Sequence, residues 1–195
     1  MTKKPAVDIS LAQQSDLAEL SEVLNHYIIN TTAVALSQPL DAVGQQHRFA
    51  SHAPAGPYRI LAARDRDTGR LLGFADSTPL VPDEAFKQAA VVGLYCTPDA
   101  TGQGVGGALL RELLRHLAAE KVRRAYAYTL DTNQLATALL RRSDFNQAAV
   151  YDEVALKFGK YWSMTIWEKK LAGAVDDGLV AELVTRKISS PVRRS

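Results

Sequence analysis

The chain has a single cysteine in 195 residues, Cys96, which rules out a disulfide within it and any metal site built on paired cysteines. An excess of one charge is also nearly absent. Lys and Arg number 23 against 21 Asp and Glu, and a formal net charge of +2 supplies no field that would gather nucleic acid. Long apolar runs are missing. The leucine-rich stretch from Ala108 to Ala119 is broken by Arg111, Glu112, Arg115 and His116, and the opening MTKKPAVDISLAQQ has no apolar core of signal-peptide length. The expectation is a cytoplasmic protein with no membrane or nucleic-acid partner and no metal. With 47% apolar and 23% charged residues, what remains is the balance of a globular chain long enough for one core. Residues 1–171 are read as that domain, and residues 172–195 as a C-terminal extension with one short helix, DDGLVAELVTRK, and a basic tail.

Periodicity gives an alternation of helices and strands. Leu17, Leu20, Val23, Leu24, Tyr27 and Ile28 recur at helical spacing after Ser15, with Asp16 and Glu19 suiting the positive end of that helix. Residues 39–57 read as a loosely defined helix with loops about it. YRILAARD, DTGR and LLGFADS form a strand, a turn and a partner strand. AAVVGLYC reads as a strand buried on both faces. A second leucine helix follows (Leu109, Leu110, Leu113, Leu114, Leu117), then the strand RRAYAYTLD and a short helix capped at Asn133. Two strands about a turn at Gly159 complete the domain.

Glycine is used sparingly, twelve times in all, yet four glycines fall in TPDATGQGVGGALL: Gly102, Gly104, Gly106 and Gly107. Between a strand and a helix, such a loop leaves the first helical N–H groups unpaired and open to phosphate oxygens, with the helix dipole behind them. A nucleotide-triphosphate loop needs Gly-Lys-Ser/Thr, and here the glycines run into Ala108 and Leu109. A dinucleotide fingerprint matches Gly102, Gly104 and Gly107, but Thr97 to Thr101 separate the strand from the first glycine. The dinucleotide reading stays open behind a third, the diphosphate of coenzyme A.

That reading coincides with a resemblance. LYCTPDATGQGVGGALL is similar to the strand, loop and helix of the GCN5-related N-acetyltransferase (GNAT) superfamily, with Thr101, Gly104 and Gly106 on the pattern Arg/Gln-x-x-Gly-x-Gly/Ala. NHYIINTTA, GFADSTPLVPDEAF, LDTNQLATALLRRSDF and ALKFGKYWSMTIWEKKL extend the resemblance, in order, to its phosphinothricin and methionine sulfoximine acetyltransferase branch. The resemblance implies an α/β (α+β) fold, a mixed, mostly antiparallel sheet splayed at its centre with helices on both faces. It implies acetyl-CoA as co-substrate and direct transfer to a small primary amine. Leu94, Tyr95 and Cys96 would then hold the thioester arm, Thr101, Gly102, Gln103, Gly104, Val105, Gly106 and Gly107 the diphosphate, and Asn133 the cofactor. The branch commonly forms homodimers, for which KFGKYWSMTIW offers an apolar surface. Cys96, beside the thioester, is read as packing rather than as a nucleophile.

The same resemblance exposes departures. Val91 and Leu140 stand where the branch carries a glutamate and a histidine, Val81 and Asp83 where it carries arginines, Thr101 where it has the arginine that opens the diphosphate loop, and Asp144 where it has glycine. No catalytic residue is therefore assigned. Of the histidines, His116 reads as solvated, His47 and His52 fall in the variable second region, and His26 reads as structural. Asp76, Asp83 and Glu84 lead into the central strand and read by default as solvated charge. The competing expectation is a catalytically weakened acyl-CoA-binding protein that senses or regulates.

Overall fold

The computed structural model describes residues 5–130 and 132–171; the extension expected after residue 171 lies outside the described residues. Seven strands form one sheet: β1 (Val7–Leu11), β2 (Ile60–Asp65), β3 (Leu71–Pro79), β4 (Ala89–Cys96), β5 (Arg124–Leu130), β6 (Asn146–Lys157) and β7 (Lys160–Lys170). Their spatial order is β1-β2-β3-β4-β5-β7-β6. Every neighbouring pair is antiparallel except β4 and β5, which are parallel because helix α3 (Val105–Ala119) carries the chain across between them.

Period-two alternation assigns the strands' side chains to two cores. Leu61, Ala63, Leu72, Ala75, Ala90 and Val92 pack with α3, whose Leu109, Leu113 and Leu117 are fully buried. Ile60, Ala62, Leu71 and Phe74 face the other way, against Leu20, Leu24 and Ile28 of α1 (Leu17–Asn30) and Phe49 of α2 (Ala42–Ala50). Each large side chain so buried stabilises the fold by roughly 1.5–3 kcal/mol relative to exposure. A bulge at Leu72 puts Leu71 and Phe74, three residues apart, in the same core: Ala63 pairs with Gly73 and Arg64 with Leu71. The expected mixed sheet with helices on both faces is the observed one.

Local chemistry explains the boundaries. Asp16 bonds back to the Gln13 N–H at 2.7 Å and, with Glu19, holds the Arg64 guanidinium at 2.8 Å, fastening the start of α1 to β2. The loosely drawn second helix is α2, capped by Asp41, which accepts from the Gly44 N–H at 2.8 Å. Phe158 and Gly159 turn the β6–β7 hairpin with φ of 53° and 71°. Helix α4 (Gln134–Arg142) ends at Asp144, whose φ of 59° shows why glycine suits that position and why a short polar side chain is tolerated there.

The central strand bears out the splay that the resemblance implies and departs from the reading of a strand buried on both faces. β4 pairs with β5 only from Ala89↔Arg124 to Val91↔Tyr126, after which the two strands diverge. Gly93 to Cys96 are consequently half-buried rather than sealed on both faces. A wedge opens in the middle of the sheet, with β3 still paired along the other side of β4 as far as Cys96.

Candidate active site

The loop after β4 lies at one end of this wedge. Gly102 and Gly104 adopt φ of +79° and +88°, a left-handed backbone in which a side chain is strained, and Gly104 is the residue before α3. Side chains here fold back on their own loop: the Thr101 hydroxyl donates to the Thr97 carbonyl at 3.1 Å and the Gln103 amide to the Asp99 carbonyl at 2.5 Å. The N–H groups of Gly102, Gly104, Val105, Gly106 and Gly107 find no acceptor among the described residues, and the helical ladder begins with Ala108 donating to Gly104 at 3.1 Å. Gly106 also sets packing distance, since a Cβ there would lie 3.3 Å from Leu94 and 3.5 Å from the Cys96 sulfur.

The opposite face of β4 is built from side chains. Across the β3–β4 register, Phe74 faces Tyr95, Asp76 faces Gly93 and Thr78 faces Val91, which puts these six residues in one double row toward α1 and α2. Tyr95 stacks at 4.8 Å on Phe74 and edge-on at 5.9 Å to Tyr27, whose hydroxyl donates to the Cys96 carbonyl at 2.8 Å. Asp76 is 3% exposed and its Oδ2 forms an ion pair with Arg48 of α2. His52 lies beside the pair, its Nε2 at 3.7 Å from Asp76 Oδ2 and its Nδ1 at 2.7 Å from the Arg48 carbonyl. Burial pushes the Tyr95 and Tyr27 hydroxyls above the ordinary tyrosine range and pulls His52 below the ordinary histidine range. Burial also raises the Cys96 thiol to about 11, which keeps it a neutral packing group near pH 7.

A parallel strand pair parted at its centre, with free amides at the start of the crossover helix, prompts comparison with known acyl-transfer folds. The family model described as the acetyltransferase (GNAT) family matches residues 21–145. This chain belongs to the GNAT family of acetyltransferases. It is 40% identical over 180 residues to an N-acetyltransferase of Streptomyces griseus, covering 91% of this chain and 92% of that one. It is 32% identical over 165 residues to a phosphinothricin N-acetyltransferase of Streptomyces coelicolor, covering 85% and 96%. A GNAT phosphinothricin acetyltransferase from Sinorhizobium meliloti, solved in complex with AcCoA, superposes with a TM-score of 0.81 at 22% identity, covering 87% of this chain and 90% of that one.

In this GNAT chain the residues singled out from sequence fall into two groups. Leu94, Tyr95 and Cys96 line the wedge, and Thr101 to Gly107 form the loop at its end. Asn133 caps α4, accepting from the Ala136 N–H at 3.2 Å. Leu140 is core, 6% exposed. Val91 faces α1 and α2 at the last position where β4 pairs with β5. Asp83 caps a short 3-10 turn, and Glu84 pairs with Lys87.

Two readings need correction. His116 is not solvated: its Nε2 is sealed from water with no hydrogen-bond partner among the described residues, and burial holds the ring below the ordinary histidine range. Asp76 is not loop charge but a buried carboxylate, because Phe74 and Asp76 share the face that α2 covers. Sequence reasoning missed Arg48 entirely. The available signal was a charged residue, Asp76, in an otherwise apolar strand face, since such a charge needs a buried partner. No signal within α2 itself identified Arg48 as that partner.

Proposed function

We propose that this N-acetyltransferase moves the acetyl group of acetyl-CoA directly onto a small primary amine. The observation that carries the reading is the set of N–H groups of Gly102, Gly104, Val105, Gly106 and Gly107, unpaired among the described residues at the start of α3, beside a strand edge that β5 has left open. Those amides bind the diphosphate without basic side chains, while the Thr101 and Gln103 N–H groups are taken by the Pro98 and Ala100 carbonyls at 3.4 and 3.3 Å. The free edge of Leu94, Tyr95 and Cys96 pairs with the pantetheine arm, and one of its N–H groups faces the thioester oxygen, which becomes anionic as the amine adds. Asn133 contacts the cofactor while capping α4. The named activities of the Streptomyces relatives support acyl transfer to nitrogen.

The acceptor differs from phosphinothricin. Val81 and Asp83 offer no cation to a phosphinate, and Arg48 is committed to Asp76. The exposed Leu156, Phe158 and Tyr161 of the β6–β7 hairpin support a homodimer formed through that hairpin, in a cytoplasmic protein. The apolar Val91 and the buried Leu140 favour one second reading, an acyl-CoA-binding sensor. Calorimetry with CoA and thiol release from acetyl-CoA across a panel of amines decide between them. Binding with turnover is the expected result, binding without turnover on any amine returns the sensor, and no heat with CoA overturns both.

A further inference from the structure

The acetyl-transfer reading leaves the amine without a receiving group, and the following inference rests on that reading. Asp76 is a charge that packing does not require. A buried ion pair is weak evidence for stability, because apolar residues of similar volume commonly replace one at no cost. Its neighbours along β3, Phe74 and Ala75, are apolar and buried. The carboxylate is also only half satisfied. Arg48 engages Oδ2, and His52 gives nothing to it: Nδ1 lies against the Arg48 carbonyl, an acceptor only, so Nδ1 carries the proton and Nε2 presents a lone pair. Oδ1 accepts from no donor among the described residues, yet it is not among the side-chain atoms sealed from solvent without a partner.

Where Oδ1 points is set by an absence. A Cβ on Gly93 would lie 2.2 Å from Asp76 Oδ1 and 3.1 Å from the Tyr95 hydroxyl, so both oxygens flank the bare backbone of Gly93. Gly93 is two residues beyond Val91, where the pairing of β4 with β5 ends, and it directly precedes the strand edge assigned to the thioester. A carboxylate from the neighbouring strand therefore occupies the space over Gly93 that any side chain at residue 93 would fill, one residue from the strand edge that β5 has left.

We propose that Asp76 Oδ1 is the catalytic group that receives the acceptor's amino group, with Arg48 fixing the carboxylate through Oδ2 and Gly93 giving it room. An ammonium acceptor sheds two protons in the reaction. The first passes to Oδ1 and on to solvent, freeing the nitrogen lone pair. Nitrogen then bonds to the thioester carbon, the carbon–sulfur bond breaks with its electron pair on sulfur, and the second proton ends on that sulfur. No oxidant or reductant is involved. Such an anchor selects cationic primary amines over neutral nucleophiles.

The test is steady-state kinetics on Asp76→Asn and Gly93→Ala beside the wild type, with acetyl-CoA and a series of amines of differing basicity. The expectation for Asp76→Asn is a loss of about 10²-fold or more in kcat/KM for the amine, shrinking for weakly basic amines that are already neutral at pH 7, with KM for acetyl-CoA unchanged. Gly93→Ala keeps the charge but displaces it, and is expected to lose about tenfold in the same parameter, which decides the matter should Asp76→Asn not fold. Wild-type kcat/KM in both variants, or a loss of CoA affinity that parallels the loss of turnover, overturns the assignment. Absence of turnover in the wild type on every amine overturns the acetyl-transfer reading itself.

Discussion

The two sides of β4 do opposite things with the same strand. Toward α3 the surface is main chain: glycines, unpaired amides and an open strand edge, with Thr101 and Gln103 folded back on their own loop. Toward α2 it is side chain: Arg48, His52, Asp76 and Tyr95, drawn from three elements and the turn after α2. The difference follows from what each side meets. A diphosphate can be held by backbone dipoles alone, in a site that tolerates many side chains provided the loop geometry survives. An amine must be chosen by charge, and charge inside a protein has to be paired and positioned one residue at a time.

The largest expected effect breaks the side-chain half. Arg48→Ala leaves the Asp76 carboxylate buried and alone, and should cost about 3–5 kcal/mol in urea unfolding, while the folded fraction still binds CoA. Parallel loss of CoA affinity per folded molecule would show that the two halves are not independent. On the other side, Gly104→Val forces a β-branched residue to a φ of +88°. A strain of about 1–3 kcal/mol should raise the CoA Kd about tenfold or more by calorimetry and leave the KM for the amine nearly unchanged.

A smaller effect comes from His52. Burial lowers its pKa in the folded protein, with the Arg48 guanidinium opposing protonation and Asp76 favouring it. The unfolded chain therefore binds a proton that the folded one refuses, so this contribution to stability is complete above the ordinary value of about 6.5 and is lost as pH falls below it. The urea midpoint should drop between pH 7 and pH 5, and His52→Gln should flatten that slope, with His116 leaving a remainder of the same sign. The smallest effect is Cys96→Ala. With its thiol raised to about 11, Cys96 is no nucleophile, and turnover should stay within about threefold of wild type. A tenfold loss with unchanged CoA binding would sharpen the comparison by adding a side chain to the main-chain half.

How much of this could be read beforehand divides along the same line. The leucines of α3, the turns at residues 67–70 and at Gly159 and the glycine loop are local in sequence, and their chemistry announces itself through spacing. Asn133 as a helix cap was equally legible. Asp76 was visible but misjudged, since a single charge on a strand declares its burial only once the helix above it is placed. Arg48 gave no sign at all.

By itself the sequence determined the order of elements, the strand-to-helix crossover and the unpaired amides at its turn, because hydrogen-bond periodicity and backbone conformation depend on residues a few positions apart. Only the tertiary structure decided where β4 and β5 part, that Gly93 leaves room for a carboxylate from β3, and that Arg48 comes from 28 residues away to hold it. Those contacts join elements distant along the chain, and no local preference encodes which charge will meet which once the two cores have closed.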